Sequence, residues 1–527
     1  MVRIPARYQD HGAEYTRKIP AQRMPDPQLH RHLCAEIIAD GGFDPHRLLA
    51  SFEDQIYLAL LENPGEATTF GRYSYLCADP FWVFRSKRQR AWSGPPGAEL
   101  ELEGDPLAHL GALLHRYRAG VDAWRPGLPP FCGGAVGYLG YELLYLIESI
   151  PDLGRDDLAL PDLDLFFTGL VFAKDRQTGV GWILATGFGE SPAAAEAQAS
   201  QRLAAGRQRL GRLGPEARSI EARPIVRGAR PRLREQDLLA RGIRPCVDRR
   251  AYLDAIERVK QNIFAGNVFE VCLTQRFDLQ FDGSGRALYD ALRVVNPAPM
   301  TAYLRLPAVE VLSSSPERFL SLDRSGVVET RPIKGTRPRG AAPSSDQALR
   351  ADLAASEKDR AENLMIVDLA RNDLGKVCRF GSVEVSELCA IEAYEYTWQM
   401  VSTIRGLARD RLDPIALLRA AFPGGSMTGA PKVEAMKLID RLEPTKRGVF
   451  SGSIGYIDFD GAMDWSIVIR TLIKSGTLLT FHVGGAIVAD SDPEDEYQET
   501  LDKANGLIAA IDLLALADRS ARSSEGW

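Results

Sequence analysis

Residues 268–279 alternate in character along the chain. Phe269, Val271 and Leu273 share one face, and Glu270, Cys272 and Thr274 share the other. A period of two is the signature of a strand, because a helix would scatter both sets around its circumference. Extended runs of the same kind are predicted at 56–61, 72–76, 133–144, 301–306, 309–313, 449–459, 466–474 and 478–488, and a hairpin at 165–173 and 180–185. Helical spacing is predicted at 107–117, 192–213, 252–265, 345–370, 414–421, 432–441 and 493–517. Strands and helices in these proportions predict an α+β protein.

Composition narrows the class. The chain has 527 residues, 45% hydrophobic and 25% charged, with 64 Lys and Arg against 70 Asp and Glu, a net charge of −6. A mildly acidic chain of this kind is not built to coat nucleic acid or an anionic membrane. The most apolar long window, 133–150, carries Glu142, Glu148 and several Gly, so it is not read as a membrane span. Seven Cys without a Cys-x-x-Cys pair indicate reduced thiols, and the first residues lack an apolar signal core. A cytoplasmic location is therefore expected.

The organisation expected is a polar leader over 1–45, a first α+β domain over 46–190, and an Ala-rich helix with an Arg-rich linker over 191–248. A second domain follows over 249–517, then a polar tail over 518–527. The Arg-rich stretch reads either as a solvated linker or as a surface for an acidic partner.

Four constellations could carry chemistry. Asp359 and Glu362 stand three apart in a predicted helix, as do Glu496 and Glu499 in another. That spacing puts each pair on one helix face, and two such faces could hold a hard cation; ordinary surface acids are the alternative. The loop 422–431, containing Thr428 and Gly429, opens a helix and favours an anion, a carboxylate as readily as a phosphate. Gly484, Gly485 and Ala486 end a strand just before the second acidic helix and permit close backbone approach to a ligand or a neighbouring strand; Arg470 precedes them. Glu317 and Lys334 complete the set. A Lys acts as a nucleophile when its pKa is lowered, and a nearby carboxyl group can move protons.

Longer text then carries a resemblance. Residues 332–339 (PIKGTRPR), 367–373 (VDLARND), 425–432 (GSMTGAPK), 484–491 (GGAIVADS) and Asp502-Lys503-Ala504 resemble the chorismate-utilising enzymes, which include anthranilate, aminodeoxychorismate, isochorismate and salicylate synthases. The likeness is strong over 250–515 and looser through 60–63, 71–74 and 133–138. It implies an anthranilate-synthase-like fold, with mostly antiparallel sheets forming a β-sandwich core flanked by helices. Within the family the Lys334 position resembles Ala in anthranilate synthases and Lys in aminodeoxychorismate synthases. There the Lys adds to ring carbon C2 as the C4 hydroxyl leaves, and ammonia then attacks C4 and expels the Lys from C2. The resemblance further implies Glu317 as the acid/base, Glu362 and Glu499 as Mg²⁺ ligands, and Asp359 and Glu496 as neighbours acting through water. It implies substrate contacts at Thr336, Thr428, Gly429, Phe450, Arg470, Gly484, Gly485, Ala486 and Lys503. The activity so implied is amination of chorismate to 4-amino-4-deoxychorismate, a precursor for p-aminobenzoate and folate.

Several positions depart from the family pattern. Gln399 stands where many members have His, Phe450 where Tyr is common, and Ala486 where Gly is common. Glu270 stands where water-using members carry a general-base Lys, which opposes isochorismate or salicylate synthesis. No Gly-x-Cys-x-Gly glutaminase motif occurs, so ammonia is expected from a separate glutamine amidotransferase subunit or from solution. Leu61, Glu62 and Asn63 resemble the tryptophan-binding segment of anthranilate synthases; the other reading is an edge strand. Two alternative functions are an anthranilate synthase large component and a non-catalytic chorismate- or tryptophan-binding regulator.

Overall fold

Among the described residues, two antiparallel sheets of twelve strands each carry the fold. The computed structural model describes residues 29–38, 43–65, 71–118, 124–212, 232–409 and 413–524, except the side chains of 518–524. The sheets lie face to face around a large apolar core that draws Val136, Tyr138 and Phe166 from one and Ala302, Leu304 and Val311 from the other. A second apolar layer joins the outer face of one sheet to helices Arg249–Phe264, Gly285–Val295 and Pro493–Ser524. The architecture is the expected β-sandwich flanked by helices, of α+β class.

Both sheets run across the expected domain boundary. Leu58–Glu62 pairs with Met300–Leu306, placing Leu60 opposite Tyr303. Gly134–Leu139 pairs with Ser453–Asp458, placing Gly137 opposite Gly455. The segments 46–190 and 249–517 therefore share both sheets and one core instead of forming two separate bodies. Each segment alone would expose unpaired strand edges, which the other covers.

Local expectations are corrected in the same way. Part of the expected leader, His30–Ile38, is a sheet-edge strand on Gly181–Gly189, and helix Pro45–Leu48 follows. Its mixed burial explains why no apolar alternation marked it. Two runs read as single strands each feed both sheets. The run 165–173 breaks at Gly169 into Leu163–Thr168 and Leu170–Asp175. The run 466–474 breaks into Met463–Ile467 and Thr471–Ser475, with Arg470 at φ 50° in the crossing. A period of two continues through such a crossing, so the sequence does not mark it. The predicted helix 345–370 is two, Pro343–Ala355 and Glu357–Gly375, divided at Ser356. Residues 518–524 of the expected tail continue helix Pro493–Ser524. Most of the Arg-rich linker, 213–231, and leader residues 1–28 lie outside the described residues.

All seven Cys are free thiols. Among the described residues no helix is long and apolar enough to cross a membrane.

Candidate active site

The strand that opened the sequence reading, Glu270–Gln280, is buried on both faces over its first half: Glu270, Val271, Cys272 and Leu273 are all nearly inaccessible. Strand Leu478–Ile487 lies along one side, setting Ala486 opposite Cys272 and Gly484 opposite Thr274. The two-residue strand Gly429–Ala430 caps the other side, opposite Val271 and Glu270. Gly429 has φ +143°, and a Cβ there would meet the Glu270 carbonyl oxygen at 2.1 Å, so only Gly lets the loop close onto this strand. Thr428 is buried; its carbonyl accepts from the Cys272 N–H at 2.8 Å, and its hydroxyl donates to the Gly425 carbonyl at 3.2 Å.

Lys334 arrives from the other sheet. It lies on the terminal strand Ile333–Pro338 and donates from Nζ to Glu270 Oε1 at 2.5 Å. The second oxygen of Glu270 is buried with no hydrogen-bond partner. Burial opposes the Lys334 charge, but Glu270 and, at longer range, Glu362 outweigh it and raise the amine's pKa. This reverses the expectation of a lowered pKa: a full counter-charge stands where sequence reasoning asked for desolvation or a neighbouring cation.

Glu317 is buried close by. Burial pushes its carboxyl up to about 7, against the pull of Ser426, Lys334, the Ile333 backbone and Arg470. A carboxyl group at that value is available as acid and as base near neutrality. Glu317 also lines a small cavity of about 30 Å³ with Ser426, Gly424 and Thr330. Thr336, two residues past Lys334, donates to Gln399 Oε1 at 2.6 Å, while Gln399 Nε2 donates to Thr397 at 2.9 Å. The Gln399 departure thus has a local reason: its amide accepts from Thr336 and donates to Thr397. Phe450 stacks on buried His482 at 4.8 Å between ring centroids, filling its place with a ring contact.

The acidic helices meet beside this pair. Lys358 Nζ lies 3.9 Å from Glu362 on its own helix and 4.0 Å from Glu496 on the other. Glu496 also accepts from the Ser491 hydroxyl at 2.7 Å. Lys503 pairs with Glu499 at 2.8 Å and donates to the Gly484 carbonyl at 2.8 Å. A Cβ on Gly485 would come within 2.9 Å of Glu496 Oε2, so this strand end sits directly on the acidic helix. Burial raises Glu362 to about 7 and raises Glu496 as well, whereas Lys503 holds Glu499 below the usual carboxylate range. Asp359 turns to Arg337 at 3.1 Å. Among the described residues no three His, Cys, Asp or Glu side chains are gathered at metal-ligating spacing.

The remaining segment lies apart. Leu61 and Glu62 line a cavity of about 250 Å³ with Tyr73, Tyr75, Met300 and Tyr456. The Glu62 carboxylate accepts from Tyr289 at 2.6 Å and Arg293 at 2.8 Å. Asn63 bonds its own turn at the Gly65 N–H. Leu58–Glu62 is an interior strand, between Tyr73–Ala78 and Met300–Leu306, so the edge-strand reading is corrected.

Sequence reasoning placed Glu270 on a strand face and noted it as a departure, and it assigned no role to Lys358 or Ser426. The local signal for Glu270 was a carboxylate directly ahead of the apolar run Val271, Cys272 and Leu273.

Residues 60–509 match the chorismate binding enzyme family. The chain belongs to that family. It is 46% identical over 390 residues to an aminodeoxychorismate synthase of Streptomyces pristinaespiralis, across 73% of this chain and 52% of that protein. The chain thus spans about half the length of that relative. It is 37% identical to anthranilate synthase component 1 of Cereibacter sphaeroides, across 92% of this chain and 95% of that one. The crystal structure of anthranilate synthase component I from Streptococcus pneumoniae superposes with a TM-score of 0.68 at 28% identity, covering 84% of this chain and 93% of that one.

Proposed function

We propose that this protein aminates chorismate at C4, as an aminodeoxychorismate synthase large component, with Lys334 as covalent nucleophile. The observation that carries the reading is the buried Lys334–Glu270 pair with Glu317 beside it. Passing the Nζ proton to Glu270 leaves a neutral amine. Its lone pair forms the bond to C2, the two conjugated ring double bonds each shift one place toward C4, and the C4–O bond breaks. Glu317 protonates the departing hydroxyl, which leaves as water. Ammonia then bonds to C4 and gives a proton back to Glu317, both double bonds return, and the C2–N bond breaks to restore Lys334. Thr336 and Arg470, with the amides of 484–486, Thr428, Gly429, Phe450 and Lys503, are assigned to holding the substrate.

The acidic helices fit a hard divalent cation. Their donors are all carboxylate oxygens, and the Lys358 ammonium already stands between them as a cation. Mg²⁺ held by Glu362 and Glu499, with Asp359 and Glu496 acting through water, would offset the charge of the substrate's ring carboxylate. Ammonia would come from a separate glutamine amidotransferase subunit or from solution. The cavity beside Leu61 and Glu62 suits an aromatic effector such as tryptophan, although Glu62 itself is committed to Arg293.

The second reading is the anthranilate synthase large component, favoured by the 37% identity across nearly the whole chain and opposed by Lys334. Incubation with chorismate, Mg²⁺ and ammonium, followed by chromatography and mass spectrometry, separates the two. The expected product is 4-amino-4-deoxychorismate; anthranilate with pyruvate as the main product would overturn the proposal.

A further inference from the structure

The family resemblance assigns roles to the carboxylates of the two acidic helices, but none to the lysine between them. Lys358 reaches Glu362 at 3.9 Å and Glu496 at 4.0 Å, bridging helices Glu357–Gly375 and Pro493–Ser524. Its charge also bears on Glu499. Both contacts are longer than a hydrogen bond, so charge alone, without a fixed donor geometry, holds the ammonium there. Its side chain is 58% exposed, against 10% for Lys334. Lys503, the other cation of the cluster, is fixed by Glu499 and the Gly484 carbonyl, both at 2.8 Å. Lys503 is 44% exposed but held at hydrogen-bond distance, so Lys358 is the cation of the cluster that can leave without breaking a hydrogen bond.

Charge balance gives the direction of that movement. With all three carboxylates ionised, as a bound cation requires, Glu362, Glu496 and Glu499 against Lys358 and Lys503 leave one negative charge. A divalent cation added with Lys358 in place would leave the cluster positive. The same cation with Lys358 displaced leaves it neutral, and in a partly buried site that difference is not fully screened.

Building on the Mg²⁺ reading above, we infer that Lys358 is a tethered counter-cation: it occupies the carboxylate cluster in the metal-free protein and swings into solvent when a divalent cation enters. It is a positioning residue. It keeps the two acidic helices together without metal and competes with metal for the same oxygens.

The test is amine labelling of the full chain with acetic anhydride in EDTA and in Mg²⁺, read by peptide mass spectrometry. Lys376, just past the C-terminal end of the same helix and 51% exposed against Asp373, serves as reference. The Lys358-to-Lys376 labelling ratio is expected to rise severalfold in Mg²⁺. Calorimetry with Mg²⁺ alone should show severalfold tighter binding to Lys358→Met, because the competitor is gone. An unchanged labelling ratio while calorimetry shows Mg²⁺ binding, or weaker binding to Lys358→Met, would overturn the role of Lys358 and leave the metal reading standing. No Mg²⁺ binding to the unsubstituted protein would overturn both.

Discussion

Two of the lysines that face carboxylates among the described residues do so in opposite ways. Lys334 meets Glu270 at 2.5 Å, from strands of different sheets, and is 10% exposed. Lys358 meets Glu362 and Glu496 at 3.9 and 4.0 Å, from helices on the outside, and is 58% exposed. Each strand of the first pair is fixed by sheet pairing and a shared core, so neither side chain can retreat without leaving a charge buried. In the second pair the charge can be exchanged for another. The difference separates a site built to hold one proton between fixed partners from a site built to trade one cation for another.

The comparison can be broken at its strongest point first. Lys334→Ala should reduce 4-amino-4-deoxychorismate formation on the order of 10³-fold or more, measured as kcat with saturating ammonium. Glu270→Gln leaves Lys334 buried without its counter-charge and should cost about 3–5 kcal/mol in chemical denaturation. Unchanged stability would show that the pair is not locked.

Glu317→Gln should lower kcat about 10²-fold. It should also change the pH profile. Glu317 is protonated below about 7, so the donor is present below that value and lost above it. The unsubstituted protein should show an alkaline limb in kcat near pH 7, which the variant lacks. Stability follows the same sign. The folded carboxyl lies above its ordinary 4.5, so raising the pH from 4.5 through 7 ionises a group that burial disfavours. The unsubstituted protein should lose on the order of 2 kcal/mol across that window relative to Glu317→Gln. The smallest effect belongs to the exchangeable pair: Lys358→Met should change the unfolding free energy in EDTA by less than about 1 kcal/mol.

The contrast also explains what the sequence made legible. The strand around Glu270, the helices at 107–117 and 414–421 and the two acidic helices were readable because their apolar spacing or carboxylate spacing is local. Lys334 and Glu317 were readable because their motifs resemble a family. The single shared core was not readable: whether 58–62 pairs with 300–306 is decided by partners far along the chain. The sheet crossings at Gly169 and Arg470 were hidden because alternation runs on through them. Glu270 as the partner of Lys334 was hidden for the same reason, since two residues 64 apart meet only when both sheets are in place. Lys358 was hidden by ordinariness: a lysine on an acidic helix is usually solvated.

The covalent role proposed for Lys334 can be tested directly. The protein is mixed with chorismate and Mg²⁺ without an ammonia source, quenched, digested and examined by mass spectrometry. A peptide containing Lys334 that carries the mass of chorismate less one water is the predicted result. An unmodified Lys334 peptide, in protein that makes 4-amino-4-deoxychorismate once ammonium is added and keeps doing so as Lys334→Ala, would contradict it.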